Sequence, residues 1–172
     1  MSLKYLSLHN LTFTLSLLFS LFVYLFYRSE QTVVNELFQF IFSGETYLSL
    51  KEVINENLSL PKFLIFSLPE GLWVLAVTIA SKNIYFDKKK RYFHLAFLPL
   101  VIAIALEIFQ LTHLTNGTFD LWDLLSAITF WSIGYFLLPS PSTKQPLFVQ
   151  MNTNSIVCMV SYLVLYLSHV SV

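Results

Sequence analysis

Four carboxylates stand where an apolar chain should not carry them: Glu70, Glu107, Asp120 and Asp123 lie inside or at the edge of long hydrophobic runs. An ionised side chain at the centre of a lipid-embedded helix costs about 3 kcal/mol on insertion scales, so each such acid needs a partner or a task. Glu107, Gln110 and His113 follow one another at spacings of three, which sets an acid, an amide and an imidazole on one helical stripe. Carboxylates beside an imidazole can bind a divalent cation or exchange protons. The spacing matches no standard metal motif, however, so neither a metal nor a cofactor is expected. Asp120 opens an apolar run, where a carboxylate caps free N–H groups, and Asp123 one turn later reinforces it. His113 reads as a solvated or hydrogen-bonded end residue, whereas Glu107 is too deep for a cap and needs a buried hydrogen-bond partner, for which Gln110 or a contact with a protonated carboxylate would serve. Glu70 stands between Pro69 and Gly71, a setting that suggests a kinked span with freed backbone groups lining a polar pocket. The alternative is a span beginning only near Pro69.

The elements that must hold these groups follow from composition. Apolar residues make up 56% of the 172 positions and charged residues 12%, more hydrocarbon than a soluble core hides. The expected fold class is all-α, a polytopic transmembrane helix bundle. Five stretches approach the ~20 apolar residues that a crossing needs: 11–27, 63–80, 93–112, 121–138 and 155–170. Lys82, Lys88, Lys89, Lys90 and Arg91 crowd the link between spans two and three, which places that link and the amino terminus inside and the carboxyl terminus outside. The loop 28–62, with Glu30, Glu36, Glu45, Glu52 and Glu56, is then external. Within it, Val33, Val34, Leu37, Phe38, Ile41 and Phe42 recur near helical spacing, as in an interfacial amphipathic helix or one packed on the end of the bundle. Residues 1–138 read as a four-helix core, 139–150 as a linker broken by Pro139, Pro141 and Pro146, and 151–172 as a fifth helix. Net charge is zero, which gives no field for nucleic acid, and the single cysteine, Cys158, reads as a packing residue.

Spans three and four are joined by the short segment 113–119, with Asn116-Gly117 as its turn, so they are antiparallel neighbours. On the facing stripes Ala103 precedes Glu107, while Ala127 and Gly134 follow Asp123, small residues that let helices approach closely. Glu107, Gln110 and Asp123 are expected to form one cluster under the outer interface, joined by Glu70 if span two is kinked. No cation stands inside these spans, which implies a shared proton among the acids.

Glu107-Ile-Phe-Gln110, then Gly117-Thr-Phe-Asp120-Leu-Trp-Asp123 and Gly134-Tyr135, resembles the VanZ-like family of small bacterial membrane proteins. The family signature falls on Glu107, Gln110 and Asp123. Where the family has an arginine this chain has Gly117, and Ala127 and Phe130 stand in place of its asparagine and glycine. The resemblance implies a bacterial inner-membrane helix bundle with a polar outer-leaflet site. Three functions fit: a non-catalytic module that binds an envelope lipid or packs with a membrane partner, a membrane-embedded enzyme or metal site, and a proton or cation pathway. The acids lack a nucleophile or phosphate cradle, which points to the first.

Overall fold

The computed structural model describes residues 3–28, 33–88, 91–115, 118–138, 145–146 and 153–169. Glu30, Lys89, Lys90, Asn116-Gly117 and most of the 139–150 linker lie outside the described residues. The described chain runs α1 Leu3–Phe26, α2 Val33–Phe42, α3 Gly44–Asn57, α4 Lys62–Ser81, β1 Ile84–Lys88 and β2 Arg91–His94. A 3₁₀ turn, Leu95–Phe97, then leads into α5 Leu98–Leu111, followed by α6 Leu121–Ser132 with a wide π-type turn at Ile133–Leu137, β3 Gln145–Pro146 and α7 Thr153–His169.

α4 is the axis. Nearly all of its residues from Ser67 to Ser81 are buried, as in a helix surrounded by others, and α1, α5, α6 and α7 all pack against it. Pro69 does not break it: the helix runs through from Lys62 to Ser81. Proline leaves the Ile65 carbonyl without its helical partner, and the neighbouring turn takes polar groups from α1. Ser20 Oγ donates to Pro69 O at 3.0 Å, and Arg28 Nη2 donates to Phe66 O at 2.9 Å. Trp73, Val74 and Val77 of α4 form the core with Ala103 of α5 and Ala127 of α6. α6 comes closest at two glycines. A methyl on Gly71 would overlap Ser126 Oγ and the Phe130 ring, and one on Gly134 would stand 3.1 Å from Leu75 and 3.2 Å from Thr78.

The segment expected as an external loop is two helices. α2 forms where the amphipathic spacing predicts it, with Val34 and Phe38 against Phe26 and Tyr47. Leu37, Phe40 and Ile41 are exposed on its other face. α3 was not expected, and its task is to cap α1. The last carbonyls of a helix lack intrahelical donors. Three α3 side chains spaced four apart supply them: Tyr47 OH to Leu25 O, Asn55 Nδ2 to Phe26 O at 2.8 Å and Lys51 Nζ to Arg28 O at 2.6 Å. Burial holds the Lys51 ammonium below the ordinary lysine pKa.

The described chain is mostly helical, as expected, and at the opposite end of α4 the basic link is a short β-hairpin. β1 pairs antiparallel with β2, Phe86 opposite Phe93, and parallel with β3, so the sheet order is β2-β1-β3. Lys82 beside it donates to the carbonyls of Gly134 and Leu138, closing the carboxyl end of the α6 segment.

Among the described residues two helical segments, Leu8–Phe26 and Lys62–Ser81, are long and apolar enough to cross a membrane. The other apolar helices have 10–17 residues, at most about 25 Å against a hydrocarbon core of about 30 Å. Span three is shortened because residues 91–94, expected as part of or next to its start, pair as β2.

Candidate functional site: an acidic cluster at one end of the bundle

The site is built where the last turn of α5, the first turns of α4 and α6 and the end of α1 meet. Asp120 takes an extended backbone (φ −130°, ψ 120°) ahead of α6, and its Oδ1 accepts from Trp122 N at 2.8 Å. This is the expected N-cap. Glu107 completes it from another helix: Asp120 N donates to Glu107 Oε2 at 3.1 Å. In a capping box the acid that bonds the N-cap N–H comes from the same helix, three residues on. Here α5 supplies it, which ties the two helices together. The expectation that Glu107 lies too deep to cap is therefore corrected, and its bond goes to backbone rather than to Gln110.

Glu107 is 6% exposed and Glu70 9%. Asp123, Glu70 and Asp120 all act electrostatically on Glu107, and Glu70 and Asp120 act on Asp123. Asp123 also draws a hydrogen bond from the buried Ser67 hydroxyl, on the α4 turn before Glu70. No cation stands inside the spans, but Arg28 reaches this end of the bundle from just beyond α1: its guanidinium lies over the Tyr24 ring, 4.6 Å from the centroid, and Nη2 donates to Phe66 O.

Gln110 is half-buried and His113 exposed. His113 adopts φ 56° and closes α5. His113 N donates to Gln110 O at 3.1 Å and Leu114 N to Phe109 O at 2.8 Å, the paired bonds of a Schellman ending. Ala103, Ala127 and Gly134 are buried, and all three face α4. Among the described residues no three or more of His, Cys, Asp and Glu are placed to share a metal ion.

Beneath the acids several buried polar atoms have no hydrogen-bond partner: Asp123 Oδ1, Ser126 Oγ and Trp73 Nε1. Ser126, one turn after Asp123 on α6, is 6% exposed and lies against Gly71, the residue after Glu70. Thr78 Oγ1 is unpartnered as well, but it packs at Gly134. Eight residues of helix, about 12 Å, separate Gly134 from Ser126, with Phe130 between them at the α4 contact. Beside the site Phe63 and Trp122 meet edge to face, 6.4 Å apart, with 46% and 63% of their surfaces exposed.

The signals that sequence reasoning missed are Arg28, Ser67 and Ser126. Ser67 and Glu70 share a helical face with Phe63 at spacings of four and three, as do Asp123 and Ser126 on α6. No protein-family model, curated protein or solved structure matches the chain.

Proposed function

We propose that the chain is a multi-pass bacterial inner-membrane protein of the VanZ-like type, a non-catalytic module whose acidic site opens to the outer leaflet and binds an envelope lipid. The apolar surface supports the membrane placement. Leu11, Leu15 and Leu18 of α1, Val101 and Ile108 of α5, Leu121 and Leu125 of α6 and Ile156, Val160 and Leu163 of α7 are each 46–57% exposed. Contiguous apolar surface of this extent marks a lipid or protein interface. In this reading five spans cross the bilayer, the shorter helices α5, α6 and α7 with local thinning around them, and α2 lies in the outer interface. The basic hairpin is cytoplasmic and the acidic end external.

One observation carries the binding role. Asp120 N–H donates to Glu107 and Trp122 N–H to Asp120, while Asp123 Oδ1 and Ser126 Oγ, one turn apart on α6, are buried without a partner. Polar atoms left unsatisfied beside acids already bonded to backbone support binding over catalysis. Arg28 supports the VanZ-like reading, because it brings from α1 the positive charge that Gly117 does not carry in the motif.

The test is retention of lipid. Protein extracted from membranes that survive an alkaline carbonate wash should carry co-purifying phospholipid, and Asp123→Asn should lose it. Release by carbonate, or equal lipid in protein and variant, would refute the proposal.

A further inference from the structure

We propose that the β1–β2 hairpin is a lipid-contacting element in its own right, with one face seated among the headgroups of anionic phospholipids in the leaflet at its end of the bundle. The inference rests on the membrane placement proposed above and is independent of the binding role given there to the acidic end. The register of the hairpin sorts its residues by face. Strand neighbours alternate between faces, and directly opposed residues share one. Phe86 opposite Phe93 and Lys88 opposite Arg91 therefore occupy one face, while Tyr85 opposite His94 and Asp87 opposite Tyr92 occupy the other. Asp87, the one acid in the sequence from Ile84 to His94, is thus set on the face away from Lys88 and Arg91.

On the first face polarity changes in steps. Ile84 at the root is buried, Phe86 and Phe93 are 37% and 56% exposed, and the Lys88–Arg91 pair lies farthest out. Each step is two residues of strand, about 7 Å. A membrane changes in the same order outward, from hydrocarbon through the level where aromatic rings collect to the charged headgroups. The neighbouring surface continues the aromatic level. Phe97 packs on Trp131 and Tyr135, and Phe97, Phe136 and Leu137 are exposed. The bonds from Lys82 to Gly134 O and Leu138 O fix this end of the α6 segment beside the root of β1. Rings left bare on the hairpin and on the adjoining helix ends form one apolar surface, as a lipid interface requires. Charge names the lipid. The sequence sets Lys88, Lys89, Lys90 and Arg91 in succession with Asp87 alone against them, a run that anionic headgroups attract and zwitterionic ones do not.

The experiment reconstitutes the full chain in vesicles of phosphatidylcholine and phosphatidylglycerol and reads the quenching of tryptophan by brominated forms of either lipid. Two single-tryptophan proteins report the two ends. Trp73→Phe with Trp122→Phe leaves Trp131, which donates to Ala96 O just beyond β2, and Trp73→Phe with Trp131→Phe leaves Trp122 at the acidic end. Quenching of Trp131 should favour phosphatidylglycerol about five-fold, the worth of one basic residue near a charged surface, and added salt should weaken that preference. Lys88→Gln with Arg91→Gln should cut it by half or more, and so should Phe86→Ser with Phe93→Ser, which unseats the face. Trp122 should show no such preference. Equal quenching of Trp131 by the two lipids would overturn the inference, whether or not any hairpin variant folds, and leave the face to an acidic protein or nucleic acid. An equal preference at Trp122 would overturn it too, since the effect would then belong to the whole surface. Preference lost with the two cations but untouched by loss of the two rings would deny the seated face. Each of these results, in protein that stays embedded through a carbonate wash, sinks this inference alone, whereas release by carbonate sinks the membrane placement beneath it.

Discussion

Replacing Gly71 by alanine adds one methyl group at the closest approach of α4 and α6, and its cost can be worked from the geometry. The new carbon would overlap Ser126 Oγ and Phe130 Cδ2 and stand 3.1 Å from Phe130 Cε2. The serine hydroxyl can rotate away. The ring cannot do so without moving the helix that carries it, so the change is overpacking, worth about 1–3 kcal/mol. Alanine regains up to about 1 kcal/mol of helix propensity. The net loss is about 1–2 kcal/mol, or roughly 2–8 °C in melting temperature for a chain of this size. Melting of detergent-purified protein, followed by size-exclusion of what stays folded, reads the effect. Gly134→Ala should cost less, because its contacts start at 3.1 Å, and Gly44→Ala should cost nothing, because no atom lies within 4 Å. A Gly71→Ala protein as stable as Gly44→Ala would refute the helix contact on which the site depends.

Glu107→Gln keeps an acceptor for Asp120 N–H and should melt with the unmodified protein, whereas Glu107→Leu leaves that donor unpaired and should lose about 1–3 kcal/mol. Glu107→Lys should sharply lower folded yield by burying an ammonium, which cannot accept, against the Asp120 N–H. Asp120→Ala removes the cap on Trp122 N and should cost about 1 kcal/mol; unchanged melting would deny the cap. Arg28→Met should destabilise the protein, and adding Asp123→Asn should recover part of the loss. A double-mutant cycle should give a coupling of about 0.5–3 kcal/mol between the two positions, and strict additivity would remove Arg28 from the site.

The parts of this arrangement that were legible in the sequence are those written in local periodicity. The spacing of Ala103 and Glu107 marks the buried stripe of α5, Ala127 and Gly134 mark that of α6, and the pattern from Val33 to Phe42 marks α2. α3 escaped because its meaningful stripe is polar: Tyr47, Lys51 and Asn55 recur at four-residue spacing to meet carbonyls, and apolar periodicity is blind to that. The hairpin escaped because charge drew attention away from Ile84, Tyr85 and Phe86 on β1 and Tyr92 and Phe93 on β2, strand-favouring residues on both sides of the basic link. Arg28 reads locally as the end of a span. Only the antiparallel packing of α1 on α4, which sequence spacing cannot show, brings it to residues some forty positions away. The same holds for Glu107, whose role as a cap depends on where α6 begins in space.

Labelling of single cysteines in intact cells tests the central claim most directly, since the proposed site requires the acidic end of the bundle to face outward and the basic hairpin inward. Native Cys158 is fully buried and should stay silent. A membrane-impermeant maleimide should label Glu45→Cys, on the exposed surface of α3, in intact cells and should label Lys89→Cys, in the basic link, only after the membrane is opened. Labelling of position 89 from outside, with position 45 protected, would invert the protein and contradict the account.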